Sequence, residues 1–325
     1  MKVYLAEMAN DQVKTVISIP VMKKQGVVMP KKDEKLVSII LINWNSYELT
    51  KNCIEKIKEN TSYKNYEIYM IDNGSADGSI ERLGKEFPFL KITRNKKNMG
   101  FTYAINQGYR DAKGPYLCHV NSDAVVLNGW LEEALKVLES SPYTAVVGAT
   151  EVSQEQADKK EELEKIRQKP NIEKLTLPVS FVTRKELIEK FGYYDAEYFS
   201  PAYGEEADWN FRLHNAGYRI VKASRFNVVH AGSAISRKNL GDSKYTVLIN
   251  YHRLRSMLFN LSIPDLIRFV PGLGLIIVNS LFTPSFFHIM KAYWLNLKDW
   301  KLIMQQRRAK RRYIPFKEPR FTVVE

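Results

Sequence analysis

Cysteine is scarce in this sequence of 325 residues, which contains only Cys53 and Cys118. Two cysteines build no disulfide framework and their spacing matches no metal-binding motif, so a disulfide-rich secreted domain and a zinc finger are excluded. We expect no secretory leader at the amino terminus, because its longest apolar stretch, residues 16–21, is too short for one. We therefore expect a protein of a reducing, cytoplasmic compartment.

Two common nucleotide-binding motifs are also missing. No G-x-G-x-x-G follows the first predicted strand, and G-x-x-x-x-G-K-[ST] does not occur. The sequence therefore predicts neither a nicotinamide dinucleotide site nor a P-loop ATP site. The formal net charge of +13 still indicates an anionic partner, and nucleotide, nucleic acid and anionic lipid all remain open.

Apolar stretches alternate with helical patterns from Val37 onwards. The predicted strands are residues 37–42, 66–71, 90–93, 116–120 and 144–149, and the predicted helices between them are residues 45–60, 79–87, 101–113 and 129–141. We expect Asn45 or Ser46 to cap the first helix. Strands and helices in this order predict an α/β fold, with a mostly parallel central sheet flanked by helices.

Four successive predicted strands end in polar or charged residues. They are followed by Asn43 and Asn45, by Asp72 and Asn73, by residues 94–100, and by Asn121-Ser122-Asp123. Because ligands bind outside the carboxyl ends of the strands in such sheets, we expect these residues at one edge. Turn formation explains any one of them. The alternative is a ligand site in which Asp123, supplemented by Asn121, offers hard oxygen atoms to a divalent metal.

Residues 203–220 predict a helix that ends at Gly217, since glycine suits the position after a helix. Glu205 and Glu206 open this helix, where the helix dipole favours negative charge. Their acidity therefore has an ordinary structural explanation beside a catalytic one.

Ordinary structural roles are also available to other residues in this part of the chain. Asp208 and Arg212 are four residues apart and can form a surface ion pair, while Trp209 and Leu213 are expected to face the core. His230 follows an apolar strand, where an imidazole usually forms hydrogen bonds with backbone groups.

Four stretches, in their order and spacing, resemble family-2 glycosyltransferases of the GT-A fold, and within them the rhamnosyltransferase-like group. The stretches are VSIILINWNS, EIYMIDNGSADGS, RNKKNMGFTYAINQGYRDAKGPYLCHVNSDAVVLNGWLEE and GYYDAEYFSPAYGEEADWNFRLHNAGYRIV. They lie in residues 37–236, about two-thirds of the chain. The resemblance implies a GT-A nucleotide-diphospho-sugar transferase domain in residues 35–238, preceded by an appendage of residues 1–34.

The resemblance places a nucleotide-sugar donor at the strand ends. Asp72 matches the residue that hydrogen-bonds the nucleotide base, and Asn98, Gly100 and Asn106 match the stretch that lines the donor site. The other residues assigned to donor binding are Asn43, Asn45, Asn73, Arg94, Asn121 and Ser122.

A divalent cation, Mg²⁺ or Mn²⁺, is also implied. Asn121-Ser122-Asp123 matches the D-x-D metal motif in an N-x-D form, and the metal would depend mainly on Asp123 because Asn121 is neutral. His230 lies where family members carry a histidine that contacts the metal or the diphosphate. Ser233 and Arg237 are weaker candidates nearby.

The family pattern Glu-Asp-x-Asp assigns the catalytic base to Glu206. Glutamate replaces aspartate here, so Glu205 and Asp208 are kept as alternatives. Such a base would deprotonate an acceptor hydroxyl for direct attack on the anomeric carbon, which inverts its configuration. No serine or cysteine nucleophile with a neighbouring base is evident, so the sequence favours no covalent intermediate.

The remaining residues, 239–325, predict a helical, basic region that associates with a membrane. Residues 269–287 carry no charge and predict a membrane-surface or re-entrant segment, with a spanning helix or a buried hairpin as alternatives. Residues 291–320 contain ten basic and two acidic residues. Beside this charge, Ile289, Tyr293, Leu297, Trp300 and Met304 are expected on one helical face, suited to an anionic membrane surface.

The sequence thus predicts a metal-dependent, inverting glycosyltransferase at the inner face of the cell membrane. Its donor would be dTDP-rhamnose or a UDP-sugar, and its acceptor a hydroxyl of a lipid-linked glycan or polysaccharide. One alternative is a catalytically idle nucleotide-sugar-binding member of the fold. Another is a basic nucleic-acid-binding protein, although nucleic acid is not the expected partner because no motif for it is present.

Overall fold

The computed structural model describes residues 35–174, 180–230 and 241–311, with side chains as far as residue 308. The appendage of residues 1–34, the weaker candidates Ser233 and Arg237, and the end of the basic tail lie outside the described residues. Contacts divide the described chain into two compact units. The first comprises residues 35–193 and 219–230, and the second residues 194–218 and 241–311, apart from the gaps just named.

The first unit is built on one sheet with helices packed against it. Its strands are β1 (Val37–Asn43), β2 (Tyr66–Asp72), β3 (Lys91–Arg94), β4 (Tyr116–Val120), β5 (Ala124–Val126), β6 (Thr144–Val152), β7 (Ile172–Glu173), β8 (Ser180–Arg184) and β9 (Arg219–His230). Its helices are α1 (Tyr47–Asn60), α2 (Ser79–Glu86), α3 (Phe101–Asp111), α4 (Trp130–Glu139), α5 (Gln154–Asp158), α6 (Lys160–Arg167) and α7 (Lys185–Phe191).

The strand order places the predicted strand ends beside one another. The order is β3-β2-β1-β4-β8-β6-β9-β5, with β7 paired to β9. From β3 to β4 all neighbours are parallel, and Asn43 lies opposite Asp72, which in turn lies opposite Arg94. The antiparallel β8 joins this part to β6 and β9. The predicted α/β fold with a mostly parallel central sheet is confirmed.

The burial of the strands explains their sequences. β1 and β4 are buried along almost their whole lengths, as strands covered by helices on both faces must be, and they consequently read as continuous apolar stretches. Cys53 from α1 and Cys118 from β4 are both buried free thiols. Burial raises the pKa of both thiols, so neither is a reactive nucleophile at neutral pH.

The start of α1 differs in detail from the prediction. Ser46 is the N-cap residue, but its side chain caps no backbone N–H group. The hydroxyl of Ser46 instead donates to Asn43 Oδ1 at 3.2 Å. Asn45 adopts a positive φ of 50° in the preceding turn. The hydroxyl of Ser46 therefore binds the end of β1 and does not cap α1.

The second unit is helical. Its helices are α8 (Glu205–Asn215), α9 (Asp242–Asn260), α10 (Ile263–Ser280), α11 (Ser285–Lys298) and α12 (Trp300–Arg311). α9 packs against α8, α11 and α12. Phe199, Phe259 and Ile303 form a buried cluster in this unit. The predicted helical character of the C-terminal region is confirmed, and α8 belongs with these helices by its contacts.

The predictions for α8 agree with the structure. Trp209 and Leu213 are completely buried. Gly217 has a φ of 89° just after the helix, and the N–H of Tyr218 donates to the carbonyl of Leu213 at 3.0 Å. This is the hydrogen bond expected where a glycine ends a helix.

The single apolar face predicted for residues 289–304 is wrong. α11 ends at Lys298 and a new helix begins at Trp300, so the helical spacing does not continue across Asp299. Ile289 is buried, whereas Leu297 and Trp300 are exposed.

Candidate active site

Asn43, at the end of β1, ties the strand ends of the first unit together. Its amide nitrogen donates to Asp72 Oδ1 at 3.2 Å and to the hydroxyls of Ser75 and Ser79 at 3.0 and 2.9 Å. Its side-chain oxygen, Oδ1, accepts from Thr50 Oγ1 at 2.9 Å. Asn43 is completely buried. In the structure Asn43 therefore orients Asp72, and a direct contact with a donor stays a prediction.

Asp72, the predicted base-binding residue, has a fixed and completely buried carboxylate. It accepts from the backbone N–H and the hydroxyl of Ser75 at 3.2 and 2.5 Å. Arg94 Nε lies 3.6 Å from Asp72 Oδ2, and the same guanidinium pairs with Glu81. Since the Arg94 side chain is 51% exposed, this edge presents a cation beside the buried carboxylate.

Asn73 fixes the loop between β3 and α3. Its amide nitrogen donates to Asn98 Oδ1 at 3.0 Å and to the carbonyl of Gly100 at 3.2 Å. Its side-chain oxygen, Oδ1, accepts from Asn95 Nδ2 and from the N–H of Met99, at 3.1 and 3.0 Å. One buried amide therefore sets the shape of residues 95–100, the stretch predicted to line the donor site.

Close packing of two loops reinforces this arrangement. Gly74 has a φ of 79°, and a Cβ atom built on it would lie 2.4 Å from the carbonyl carbon of Lys97. A side chain is therefore excluded at this position. Asn95 and Gln107 also exchange two amide hydrogen bonds, of 2.8 and 2.9 Å, between the loop and α3.

Three further residues predicted to bind the donor differ in exposure. Asn45 and Asn98 are exposed, whereas Asn106 on α3 is 6% exposed. The side-chain oxygen of Asn45, Oδ1, accepts from the N–H of Ala76 at 2.9 Å. Gly100 has a φ of 87° and immediately precedes α3. Asn45 and Asn98 are therefore exposed at the same sheet edge as Arg94, although the side-chain oxygen of each accepts a hydrogen bond within the protein.

Asp123 and His230 meet because β5 and β9 pair in antiparallel register. Asn121-Ser122-Asp123 forms the turn after β4, and Ala124 lies opposite His230. His230 Nε2 lies 3.2 Å from Asp123 Oδ1, and the two side chains are 7% and 8% exposed. The structure therefore brings together two of the three residues assigned to the metal.

The surroundings of His230 are anionic. Burial alone would lower the pKa of His230, but the hydrogen bond and charge of Asp123, together with the charge of Glu151, raise it overall. Glu151 Oε2 lies 4.0 Å from the other ring nitrogen, Nδ1. The site therefore attracts positive charge, whether a proton on the imidazole or a bound cation.

These side chains fit a metal ion that a ligand helps to hold. A carboxylate oxygen and an imidazole nitrogen are both ligands that divalent metals such as Mn²⁺ accept, and Asn121 in the same turn adds an amide. Residues 35–174, 180–230 and 241–311 contain no group of three or more His, Cys, Asp or Glu side chains placed to bind one metal. The remaining ligands would therefore have to come from diphosphate and water.

The acidic helix α8, in the second unit, begins at a tightly packed glycine. Gly204 has a φ of 83°, and a Cβ atom built on it would lie 2.7 Å from the carbonyl oxygen of His252 in α9. Glu205 is 4% exposed, while Glu206 is partly exposed. The backbone therefore presents Glu206 more openly than its neighbour.

Glu205 and Glu206 interact strongly. Burial raises the pKa of Glu205 well above its usual range, and the charge of Glu206 raises it further. Burial also raises the pKa of Glu206, but backbone hydrogen bonding and the charge of Arg253 oppose this. The pKa of Glu205 is therefore raised further than that of Glu206, so Glu206 ionises first of the two.

Asp208 is part of the packing between α8 and α9. Asn260 Nδ2 donates to Asp208 Oδ1 at 2.7 Å, and Arg212 Nε lies 3.2 Å from Oδ2. Asp208 is completely buried. The predicted ion pair with Arg212 therefore exists, but the expectation that it lies on the surface is wrong. A catalytic role for Asp208 stays a prediction.

Several residues of these networks were missed in the sequence. They are Ser79, Gln107, Arg253 and Asn260. Ser79 and Gln107 lie within ordinary helices, and α9 starts more than thirty positions after Glu205. Only the strand order and helix packing bring them to their partners, so no local pattern could have identified them.

Comparisons with known proteins agree with this architecture. The model of the family "Glycosyl transferase family 2" matches residues 38–200, which is half of the chain. The chain therefore belongs to glycosyl transferase family 2. Glycosyltransferase AglE of Haloferax volcanii is 24% identical over 197 residues, which are 58% of this chain and 64% of that protein. The chain spans between 29% and 64% of the length of three curated relatives that it matches.

Two solved structures share the fold. Mannosyltransferase PcManGT from Pyrobaculum calidifontis, in complex with GDP-Man and Mn²⁺, has a TM-score of 0.54 and 16% identity, covering 87% of this chain and 88% of its own. GalNAc-T7 with UDP, GalNAc and Mn²⁺ has a TM-score of 0.53 and 14% identity, covering 70% of this chain and 48% of its own. The GT-A fold predicted from the sequence is confirmed.

Proposed function

We propose that this chain transfers a sugar from a nucleoside-diphosphate donor to a hydroxyl group of an acceptor. The observation that carries the proposal is the pairing of Asp123 with His230, 3.2 Å apart at the edge where four parallel strands end. Membership of glycosyl transferase family 2 supports the reaction class. Two structures of similar fold contain a nucleotide or nucleotide sugar with Mn²⁺, which supports the kind of ligand.

Asp123 and His230 would hold a divalent cation, Mg²⁺ or Mn²⁺, with Asn121 as a third candidate ligand. When bound, such a cation neutralises the charge that develops on the departing diphosphate. Asp123 provides the permanent negative charge of the site. His230 would bind through a neutral ring nitrogen, so its proton must leave Nε2 first.

The strand-end network would hold the nucleoside part of the donor. Asn73 keeps residues 95–100 in one shape, and Asn43 keeps the carboxylate of Asp72 in one place. A prearranged set of amides reduces the entropy lost when a ligand binds. We propose dTDP-rhamnose, following the resemblance to rhamnosyltransferases, or else a UDP-sugar as the donor.

Glu206 is our proposed catalytic base, and its reaction is a single displacement that inverts the anomeric carbon. The pKa of Glu205 is raised further than that of Glu206, so Glu206 is the carboxyl of the pair that ionises first, and it is also the more exposed of the two. Glu206 would accept the proton of the acceptor hydroxyl as the oxygen attacks the anomeric carbon. Asp208 is engaged by Arg212 and Asn260 and is less available.

The proposed acceptor is a hydroxyl of a lipid-linked glycan or of a polysaccharide, used at the inner face of the cell membrane. The test is turnover by the purified full chain. dTDP-rhamnose, UDP-sugars and GDP-mannose are offered with Mg²⁺ or Mn²⁺ and a polyprenyl-linked oligosaccharide, and release of the nucleoside diphosphate and the anomeric configuration of the product are measured. We expect one donor class to react, with inversion.

Matched variants make this experiment decisive. Asp123→Ala should remove turnover, whereas Glu151→Gln, which alters a carboxylate on the other side of His230, should retain most of it. Nucleotide binding without turnover by the unmodified chain would favour the catalytically idle alternative. Binding of RNA with a steep salt dependence and no binding of any nucleotide would favour the nucleic-acid alternative.

A further inference from the structure

The helix α10 (Ile263–Ser280) carries an apolar stripe on its outward side. Ile263, Ile267, Val270 and Val278 are between 53% and 63% exposed. They are spaced by four, three and eight residues, which places them on one side of a helix. A surface helix normally turns polar side chains outward, so this stripe needs a partner.

The side of α10 next to this stripe is partly covered. Leu266, Phe269, Leu273 and Ile277 are half-buried and Ser280 is buried. α10 packs against α11 within this unit. By length and composition α10 is the helix, among the described residues, that could cross a membrane. Its 18 residues extend about 27 Å, only Ser280 among them is buried, and the half-buried residues lie along one side of the helix. One-sided contact with lipid fits these facts better than a span.

The neighbouring α11 (Ser285–Lys298) continues the apolar surface. Phe287, Met290, Trp294 and Leu297 are 75%, 39%, 58% and 70% exposed, at spacings of three, four and three residues. The inward side is formed by other residues, including Ile289, Ala292 and Asn296, which are buried. Between the two helices Phe282 is fully exposed. We call the exposed residues of α10, α11 and the turn between them the apolar face.

The charge beside the apolar face is basic. Lys291, Lys298 and Lys301 are exposed on α11 and at the start of α12, and Lys298 Nζ lies 5.7 Å from the ring of Trp294. The nearby acid Asp299 is occupied, since it pairs with Arg255 and accepts from the hydroxyl of Tyr251. Tryptophan and lysine beside an apolar stripe are typical of a surface that lies in the interface of an anionic membrane.

Not all of the basic tail belongs to this surface. Arg307 is buried and donates to the carbonyls of Leu258 and Leu261, the latter at 2.8 Å. Arg307 therefore forms hydrogen bonds with backbone carbonyls at the carboxyl end of α9 and does not face a membrane. The basic residues that remain exposed flank the apolar face.

We propose that the apolar face is a monotopic docking surface for an anionic phospholipid bilayer. The apolar side chains of α10 and α11 enter the interfacial layer, and Lys291, Lys298 and Lys301 contact the lipid phosphates. This inference does not depend on the proposed transferase activity, because no catalytic residue takes part in it.

The experiment is flotation of the full chain with vesicles. Vesicles of phosphatidylcholine alone are compared with vesicles that also contain phosphatidylglycerol. We expect binding mainly to the anionic vesicles. The double variant Trp294→Glu/Leu297→Glu should reduce partitioning by about a hundredfold or more, which corresponds to the loss of two buried apolar side chains at about 1.5 kcal/mol each.

Two matched controls separate this surface from general effects. Leu49→Glu/Phe89→Glu changes two exposed apolar residues of the first unit and should leave binding unchanged. Lys291→Ala/Lys298→Ala/Lys301→Ala should weaken binding by about a hundredfold or more, which corresponds to about 1 kcal/mol per lysine. Removing three exposed lysines elsewhere, Lys160→Ala/Lys165→Ala/Lys169→Ala, should have little effect.

Three results would overturn the proposal. The first is vesicle binding that neither the glutamate nor the lysine variants of the apolar face alter. The second is a stable dimer in the absence of lipid that Trp294→Glu/Leu297→Glu dissociates, because a second copy would then cover the face. The third is resistance of the cell-membrane-bound protein to alkaline carbonate extraction, which would indicate a spanning helix.

Discussion

The strand ends of the first unit and the apolar face of the second are opposite kinds of surface. At the strand ends, Asn43, Asp72 and Asn73 are buried. Asn43 donates a hydrogen bond to Asp72, and Asn73 donates one to Asn98. On the apolar face, Val270, Phe282 and Trp294 are exposed. The first surface is ordered by hydrogen bonds inside the protein, whereas the apolar area of the second is not covered by any of the residues that the structure describes.

This difference indicates two kinds of ligand. A fixed set of amides and one ion-paired carboxylate suit a small polar molecule, because such a molecule is recognised by the direction of each hydrogen bond. A wide apolar stripe with lysines at its border offers no directional recognition and suits a membrane surface. The predictions below test this contrast, beginning with the largest expected effect.

Removal of Asp123 should have the largest effect on activity. Asp123→Ala should lower kcat/KM by about a thousandfold or more, because a metal supplies several kcal/mol of charge stabilisation. Chelation of divalent metal should lower the rate of the unmodified protein to a similar level. Steady-state kinetics with added Mn²⁺ provides the measurement, and an unchanged rate in the variant would contradict the metal assignment.

Glu206 and Glu205 should respond unequally to the same substitution. Glu206→Gln should lower kcat by about 10²- to 10⁴-fold, as expected for loss of a general base. Glu205→Gln imitates a protonated carboxyl and should lower kcat by less than about tenfold. Equal losses in the two variants, measured at saturating donor, would show that the assignment of the base is wrong.

Asn43→Ala should lower the free energy of unfolding by about 2–3 kcal/mol, since it leaves buried polar partners unsatisfied. Asn52→Ala on the exposed side of α1 is the control and should change it by less than about 0.5 kcal/mol. Urea unfolding measures both. If Asn43→Ala is as stable as the control, the strand-end network is not what holds this edge.

The buried pair Glu205–Glu206 should make stability depend on pH. The folded-state pKa of Glu205 is raised, so the folded state retains a proton that the unfolded chain has lost. The contribution of Glu205 to the free energy of unfolding is therefore fully present below the ordinary glutamate pKa, and it decreases as the pH rises towards the folded-state pKa.

Glu205→Gln removes this titration. Thermal unfolding of the variant should depend less on pH above about pH 4.5 than that of the unmodified chain. Glu48→Gln on exposed α1 should show no such change. A variant with an undiminished pH dependence would refute the assignment of the proton to Glu205.

The smallest effect on stability is expected at the apolar face. Trp294→Glu and Leu297→Glu should each change the free energy of unfolding by less than about 0.5 kcal/mol, because both side chains are mainly exposed. Phe259→Ala, in the buried cluster of the same unit, should cost about 3–5 kcal/mol. A large loss in the glutamate variants would mean that these side chains stabilise the fold.

Much of the first unit could be predicted from the sequence. Each predicted strand up to β6 is present, with its start or end displaced by a few residues at most, because continuous apolar stretches between helical patterns have few alternatives. The convergence of Asn43, Asp72 and Arg94 also followed from parallel pairing. The pairing of Asp123 with His230 did not, because it depends on the antiparallel register of β5 and β9.

The second unit was harder to predict. Apolar residues at helical spacing indicate that a helix has an apolar side, but not which side faces the protein. In α11 the buried side is set by Ile289, Ala292 and Asn296, and the exposed side is the more aromatic one. Asp208 was expected at the surface because its partner Asn260 lies in a different helix.

The most direct test of the central claim is thermal stability of the full chain with UDP, dTDP, GDP or ADP, each with and without Mn²⁺. A ligand that binds only the folded protein at a hundredfold excess over its Kd adds about 2.7 kcal/mol. We predict a rise in Tm with one nucleotide, dependent on Mn²⁺ and absent in Asp123→Ala. No rise with any of the four nucleotides would contradict the proposal that this sheet edge binds a nucleotide sugar.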